Sequence, residues 1–445
     1  MAPHASDFSF LVATARRGIA DLRRALHRVR LKKHERGAQF VAATEALLAA
    51  IEDGVERREL EFDKAGDDTD KESLVRAMRQ ITNDIRNVHS STPWIEAAHS
   101  SRLPLGLVYF VDEMASALLK THPDVITVPS PSYMYSTQHK PFSPELRALQ
   151  CDYPEGMPII VHYPVQEIDS LFLHLLIAHE LGHSVIPEHD LLPLIASRAA
   201  SSVDIPKKLG EAITQAVEIE NMDGQEATAT LGAVFVKWLT EAVCDALALA
   251  FLGPSFLLSV TTFLTPFAGP RPSPTHPPNN LRMQLLLGYA DTWGWRPLLQ
   301  SNATETLAWF DAIASEEMEA QGKSYYETLG SVIAELAPTI ESVVAEHLGE
   351  RLFTPATYEA QAEEISAFLA LEVLPAQHRD GSPIDRRAVL LGGWLHMFSQ
   401  KGATPDKLPE VVSERNFQAF LAKALEMSAV LERWPKTEDV DASST

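Results

Sequence analysis

His179-Glu180-Leu181-Gly182-His183 places two imidazoles and one carboxylate at a spacing suited to metal-assisted hydrolysis. On a helix of about 3.6 residues per turn, histidines four apart share a face and can reach one zinc ion. Glu180 lies beside them, where a carboxylate can accept a proton from water activated at the metal. The surrounding sequence supports a buried helix. Leu171, Phe172, Leu173, Leu175, Leu176, Ile177 and Ala178 lead in, Val185 and Ile186 follow, and Pro187 is expected to end it. A carboxylate and two imidazoles are costly in so apolar a helix unless something compensates them, and a metal does.

The third ligand has two candidates. A second apolar helix over about residues 231–252 carries Glu241 and Asp245, again four apart and therefore on one face. Glu241 as ligand and Asp245 as acceptor for the N–H of a ligand imidazole would give both buried acids a partner. The rival is His189, six residues after His183, which requires the chain to turn back to the metal. That spacing resembles the metzincins, which have glycine at the turning position; here Ile186, a β-branched residue poorly suited to φ > 0, stands there, so Glu241 is preferred. Met222-Asp223-Gly224 is weak support for the rival. Cys244, next to Asp245, reads as a small core residue rather than a ligand.

HExxH followed by ExxxD on a later helix resembles the gluzincins, the thermolysin-like zinc peptidases. Downstream, Pro274-Thr-His-Pro-Pro-Asn-Asn-Leu-Arg-Met283 adds His-Pro and then an arginine in a new helix. That order resembles the soluble catalytic core of the prenyl-protein and heat-shock membrane endopeptidase family. The resemblance implies that His276 or Arg282 donates to the oxyanion of a tetrahedral intermediate. It covers three short segments, and the chain departs from that family in having no convincing membrane span.

The rest of the chain bounds the reading. At 445 residues, 45% hydrophobic and 22% charged, it can bury a substantial core as a soluble globular protein. Two cysteines, Cys151 and Cys244, argue against a disulfide framework. The N-terminus has no charged region followed by an apolar stretch and a cleavage site, so a cytoplasmic location is expected. A net charge of −22 opposes general nucleic-acid binding. One segment runs against that charge. Arg16, Arg17, Arg23, Arg24, Arg28, Arg30, Lys32 and Lys33 interleave with Ile19, Leu22, Leu26, Val29 and Leu31 as an amphipathic helix. Its basic face is expected to be solvated, packed against the acidic remainder, or a docking surface for an acidic partner.

The expected fold is mainly α with a small β-sheet (α+β): a zincin-like core over residues 123–300 between helical regions at 1–122 and 301–434, with a flexible tail at 435–445. Short β-rich runs are expected at Val125–Val128 and Met157–Tyr163, with Ile159 to His162 either as an edge strand for a peptide substrate or as an internal strand of a small sheet. C-terminal helices are expected over residues 281–289, 304–321, 324–348, 355–371, 386–400 and 413–434. The function this implies is zinc-dependent peptide hydrolysis with Zn²⁺ on His179, His183 and Glu241, Glu180 as general base, and His276, Arg282 or a tyrosine such as Tyr163 at the oxyanion. Latent activity of narrow specificity on a peptide or protein substrate would fit the long helical additions. The alternative is a metal-containing regulatory or binding module.

Overall fold

The computed structural model describes residues 3–31, 38–66, 68–99, 103–121, 125–138, 159–265, 272–317 and 324–433. The chain divides into two compact units, residues 1–102 with 121–165, and residues 103–120 with 166–445. The fold is mainly α with one small mixed sheet, and all of the strands belong to the first unit.

In the first unit, helix Pro3–Leu31 presents Phe8, Val12, Ala15, Ile19, Leu22 and Leu26 at spacings of three and four, so they form one stripe. That stripe packs with Leu47, Leu48 and Ile51 of helix Ala38–Lys64 and with Val75, Met78 and Ile85 of helix Asp68–His99. The basic face of the first helix is partly neutralised within the unit, through Arg16–Glu59 at 2.5 Å and Arg23–Glu52 at 2.6 Å. Both pairs are solvent-exposed, so each contributes about 0–1 kcal/mol. Lys32 and Lys33 lie outside the described residues, as does the tail at 435–445.

The sheet decides for the internal strand. Strand β3 (Ile159–Pro164) pairs in parallel with β1 (Val125–Ser130) and antiparallel with β2 (Ser136–Gln138). Ile160 to His162 therefore have a neighbour on each side and offer no free edge to a peptide. The strand β2 that covers them is three residues long and polar, which gave it no alternating apolar signal to find.

The second unit is built around helix Gly224–Leu252, buried without a break from Glu241 to Leu252. Asp223 starts this helix by accepting from the N–H groups of Gln225 and Glu226, at 2.9 and 3.4 Å. Met222-Asp223-Gly224 is thus a helix cap. The HELGH helix, Ile177–Glu188, follows a 3₁₀ turn at Leu173–Leu176. It ends at Glu188, one residue past Pro187, with His189 N–H closing the last turn on the Val185 carbonyl at 3.0 Å. These two helices approach closely at Gly182. A Cβ there would lie 3.0 Å from Cys244 Sγ and 3.1 Å from Cys244 Cα, so glycine is what permits the contact.

Helix Ser324–Leu348 matches its expected span and packs against helices Leu191–Ala199, Ile205–Glu220 and Gly224–Leu252. By length and composition alone the segment Ser324–Arg351 could cross a membrane, but Leu329, Ile333, Leu336, Ile340 and Val344 are buried in this unit. Helices Pro355–Ala370, Arg386–Lys401 and Arg415–Arg433 complete the unit. Arg386, 5% exposed, bridges Glu113 and Glu432 and so ties helix Leu105–Leu118 to the last helix.

Candidate metal centre

The close approach at Gly182 brings the chemistry of the two helices together. His179 Nε2 lies 3.3 Å from Glu241 Oε2, and His183 Nε2 lies 3.6 Å from Glu241 Oε1. Two atoms bound to one zinc in tetrahedral geometry at about 2.0–2.1 Å stand about 3.4 Å apart. Both separations therefore match those of ligands around a shared ion. His276 Nε2 is 3.9 Å from the same Glu241 oxygen, with its side chain 47% exposed, at the open side of the group.

Behind the ligand candidates lies a buried chain of hydrogen bonds. Asp245 Oδ1 is 2.8 Å from His179 Nδ1, which leaves Nε2 of that ring facing Glu241. Arg282 in turn donates to both oxygens of Asp245, through Nε at 2.8 Å and Nη2 at 2.7 Å. Arg282 is 6% exposed, with Nε and Nη2 both committed to Asp245. The His179 ring also lies nearly parallel to Phe256, with centroids 6.4 Å apart.

The charges of this group hold one another in place. Burial works against ionising Glu241, but its hydrogen bond to His179 and the nearby positive charge outweigh burial and bring its pKa down to about 2. Burial likewise opposes ionisation of Asp245, and Arg282 and His179 more than reverse this, holding it well below the usual carboxylate range. Burial disfavours protonation of His179, yet hydrogen bonds to Asp245 and Glu241 push it up to about 10. His183 moves the other way, down to about 4, through burial and the neighbouring His179. Glu241 and Asp245 thus face two cations, Arg282 and the protonated His179, and Glu180 adds a third carboxyl group at 8% exposure. A divalent ion beside Glu241 would displace the proton from His179.

A second donor set shares the histidines. Ligand atoms of His179, His183 and Cys244 lie within 4.8 Å of one another. The Glu241 oxygens stand 3.3 and 3.6 Å from the same two imidazoles. The Cys244 thiol is raised well above its ordinary value by burial and the surrounding carboxylates, and its sulfur sits in the helix contact at Gly182.

His189 is placed elsewhere. Its ring meets His347 edge-on, with centroids 4.2 Å apart, beyond the end of the HELGH helix. Tyr163 is buried in β3 of the first unit. Trp238, Ser273 and Thr275 hold the His276 loop through hydrogen bonds to the Ser273 carbonyl, the His276 N–H and the His276 ring. Their one sequence signal is Ser and Thr among the prolines before His276, which favours side-chain-to-backbone turns. Comparison of the chain with protein-family models, with curated proteins and with solved structures finds no match.

Proposed function

We propose that the chain is a zinc metallopeptidase of gluzincin type, with Zn²⁺ held by His179, His183 and Glu241. The observation that carries this reading is the convergence of both imidazole Nε2 atoms on one ionised carboxylate at 3.3 and 3.6 Å, with Asp245 behind His179. Three protein ligands leave a coordination position free, as catalytic zinc requires, whereas structural zinc commonly has four ligands and often cysteines. Bound there, zinc would supply a Lewis acid that acidifies water and polarises a peptide carbonyl.

The chain's own residues do the remaining work. Glu180 takes the proton of the attacking water and passes it to the leaving amine. Asp245, gripped by Arg282, fixes the His179 ring with Nε2 toward the metal and increases its basicity. His276, half-exposed at the open side, donates a hydrogen bond to the carbonyl oxygen as negative charge develops. Glu180 also separates this reading from a purely structural site, which has no use for a carboxylate beside the ligands.

Elemental mass spectrometry of the purified protein tests the metal, and digestion of a peptide library read by mass spectrometry tests the reaction. Near-stoichiometric zinc with cleavage abolished by Glu180→Gln is the expected result. A protein that binds no zinc would overturn the reading.

A further inference from the structure

The loop that carries His276 is organised around Ser273. Its Oγ accepts from the N–H groups of His276 and Thr275, at 2.8 and 3.3 Å, and donates to the His276 carbonyl at 3.1 Å. Trp238 Nε1–H donates to the Ser273 carbonyl at 2.9 Å. Trp238 is fully buried on helix Gly224–Leu252, roughly one helical turn before Glu241. The same helix therefore carries the ligand candidate and the peg that holds the His276 loop against it.

The two nitrogens of the His276 ring face different partners. Nδ1 is 2.9 Å from Thr275 Oγ1, and Nε2 is 3.9 Å from Glu241 Oε1. A neutral imidazole has one N–H, an ionised carboxylate only accepts, and a hydroxyl can do either. Thr275 Oγ1 also stands 3.3 Å from Ser273 Oγ, but that oxygen already accepts two N–H groups and donates to the His276 carbonyl, so the Thr275 hydroxyl proton goes to Nδ1. With the ring proton on Nε2, both nitrogens face complementary groups. With it on Nδ1, the lone pair of Nε2 would face a carboxylate.

We propose that Thr275 is a positioning residue that sets the tautomer of His276, its hydroxyl donating to Nδ1 and leaving the ring proton on Nε2. The proposal deepens the peptidase reading, because only this tautomer gives a neutral His276 a donor on the side of Glu241 where a substrate carbonyl would lie. Thr275 itself touches no reacting atom and acts through the ring.

Long-range ¹H–¹⁵N NMR of the full-length, imidazole-labelled protein tests it, with His276→Gln used to assign the signal. Wild type is expected to show the proton on Nε2 and the Nδ1 resonance shifted by an accepted hydrogen bond. Thr275→Ser should keep both features. Thr275→Val, close in volume but without the donor, should lose the Nδ1 hydrogen-bond shift and the single tautomer, with zinc content unchanged. A wild-type ring protonated on Nδ1, or a Thr275→Val ring identical to wild type, overturns the proposal. The wild-type measurement needs no substrate. A chain with His276 as proposed that cleaves no peptide would refute the peptidase reading alone.

Discussion

Arg282 and Asp245 are joined by two hydrogen bonds, Nε to Oδ2 at 2.8 Å and Nη2 to Oδ1 at 2.7 Å, and the second of these oxygens also meets His179 Nδ1. Arg282 therefore reaches the metal site through two intermediaries. Arg282→Lys cannot reproduce the fork. It should weaken zinc binding by about 10- to 100-fold, as loss of a group that orients a ligand does. Competition with a chromophoric chelator measures this. Unchanged affinity with lost turnover would return Arg282 to the role of oxyanion donor.

Glu180→Gln should retain near-stoichiometric zinc and lower kcat by roughly 100- to 10,000-fold, the range for loss of a general base. Glu241→Ala should lose the metal and His189→Ala should keep it, because His189 packs against His347. Elemental analysis of the three proteins beside wild type reads all of these outcomes. Metal lost in His189→Ala but retained in Glu241→Ala would reverse the ligand assignment.

The contact at Gly182 makes a prediction about stability. Gly182→Ala puts a methyl group 3.0–3.1 Å from Sγ, Cβ and Cα of Cys244, so the facing helix must give by a few tenths of an ångström. A cost of about 1–3 kcal/mol is expected, typical of overpacking, together with weaker zinc binding as Glu241 moves from the histidines. Adding Cys244→Ala removes the sulfur contact but not those of Cα and Cβ, so rescue should be partial. Urea unfolding of the single and double variants decides it, and full stability in Gly182→Ala would show that the helices do not meet here.

His174, fully buried in the turn before the HELGH helix, predicts a pH dependence. Burial lowers its pKa to about 4, against smaller opposing effects of the Ile168 and Glu167 carbonyls. The unfolded chain, with an ordinary histidine pKa near 6.5, takes up a proton first as the pH falls. Stability is therefore lost between about pH 6.5 and 4, by up to roughly 3 kcal/mol. His174→Gln should be less acid-sensitive over that window. Unfolding free energies of both proteins at pH 7 and pH 5 provide the difference, and equal acid sensitivity would exclude His174 as a source.

Local periodicity was legible in the chain before any packing was known. The spacing of His179 and His183, and of Glu241 and Asp245, fixes each pair on one helix face wherever those helices lie. The same regularity located Ser324–Leu348 at its observed bounds and Gly224–Leu252 to within one N-terminal extension. Tertiary structure alone decided which faces meet. Glu241 lies near His183 while His189, only six residues away in sequence, does not, because the missing Cβ of Gly182 admits helix Gly224–Leu252 at the HELGH turn. The turning of Arg282 onto Asp245, the tether from Trp238 to the His276 loop, and the two-sided pairing of β3 are likewise contacts between distant segments. No short pattern records them, since their energy is realised only when chain segments far apart in sequence pack together.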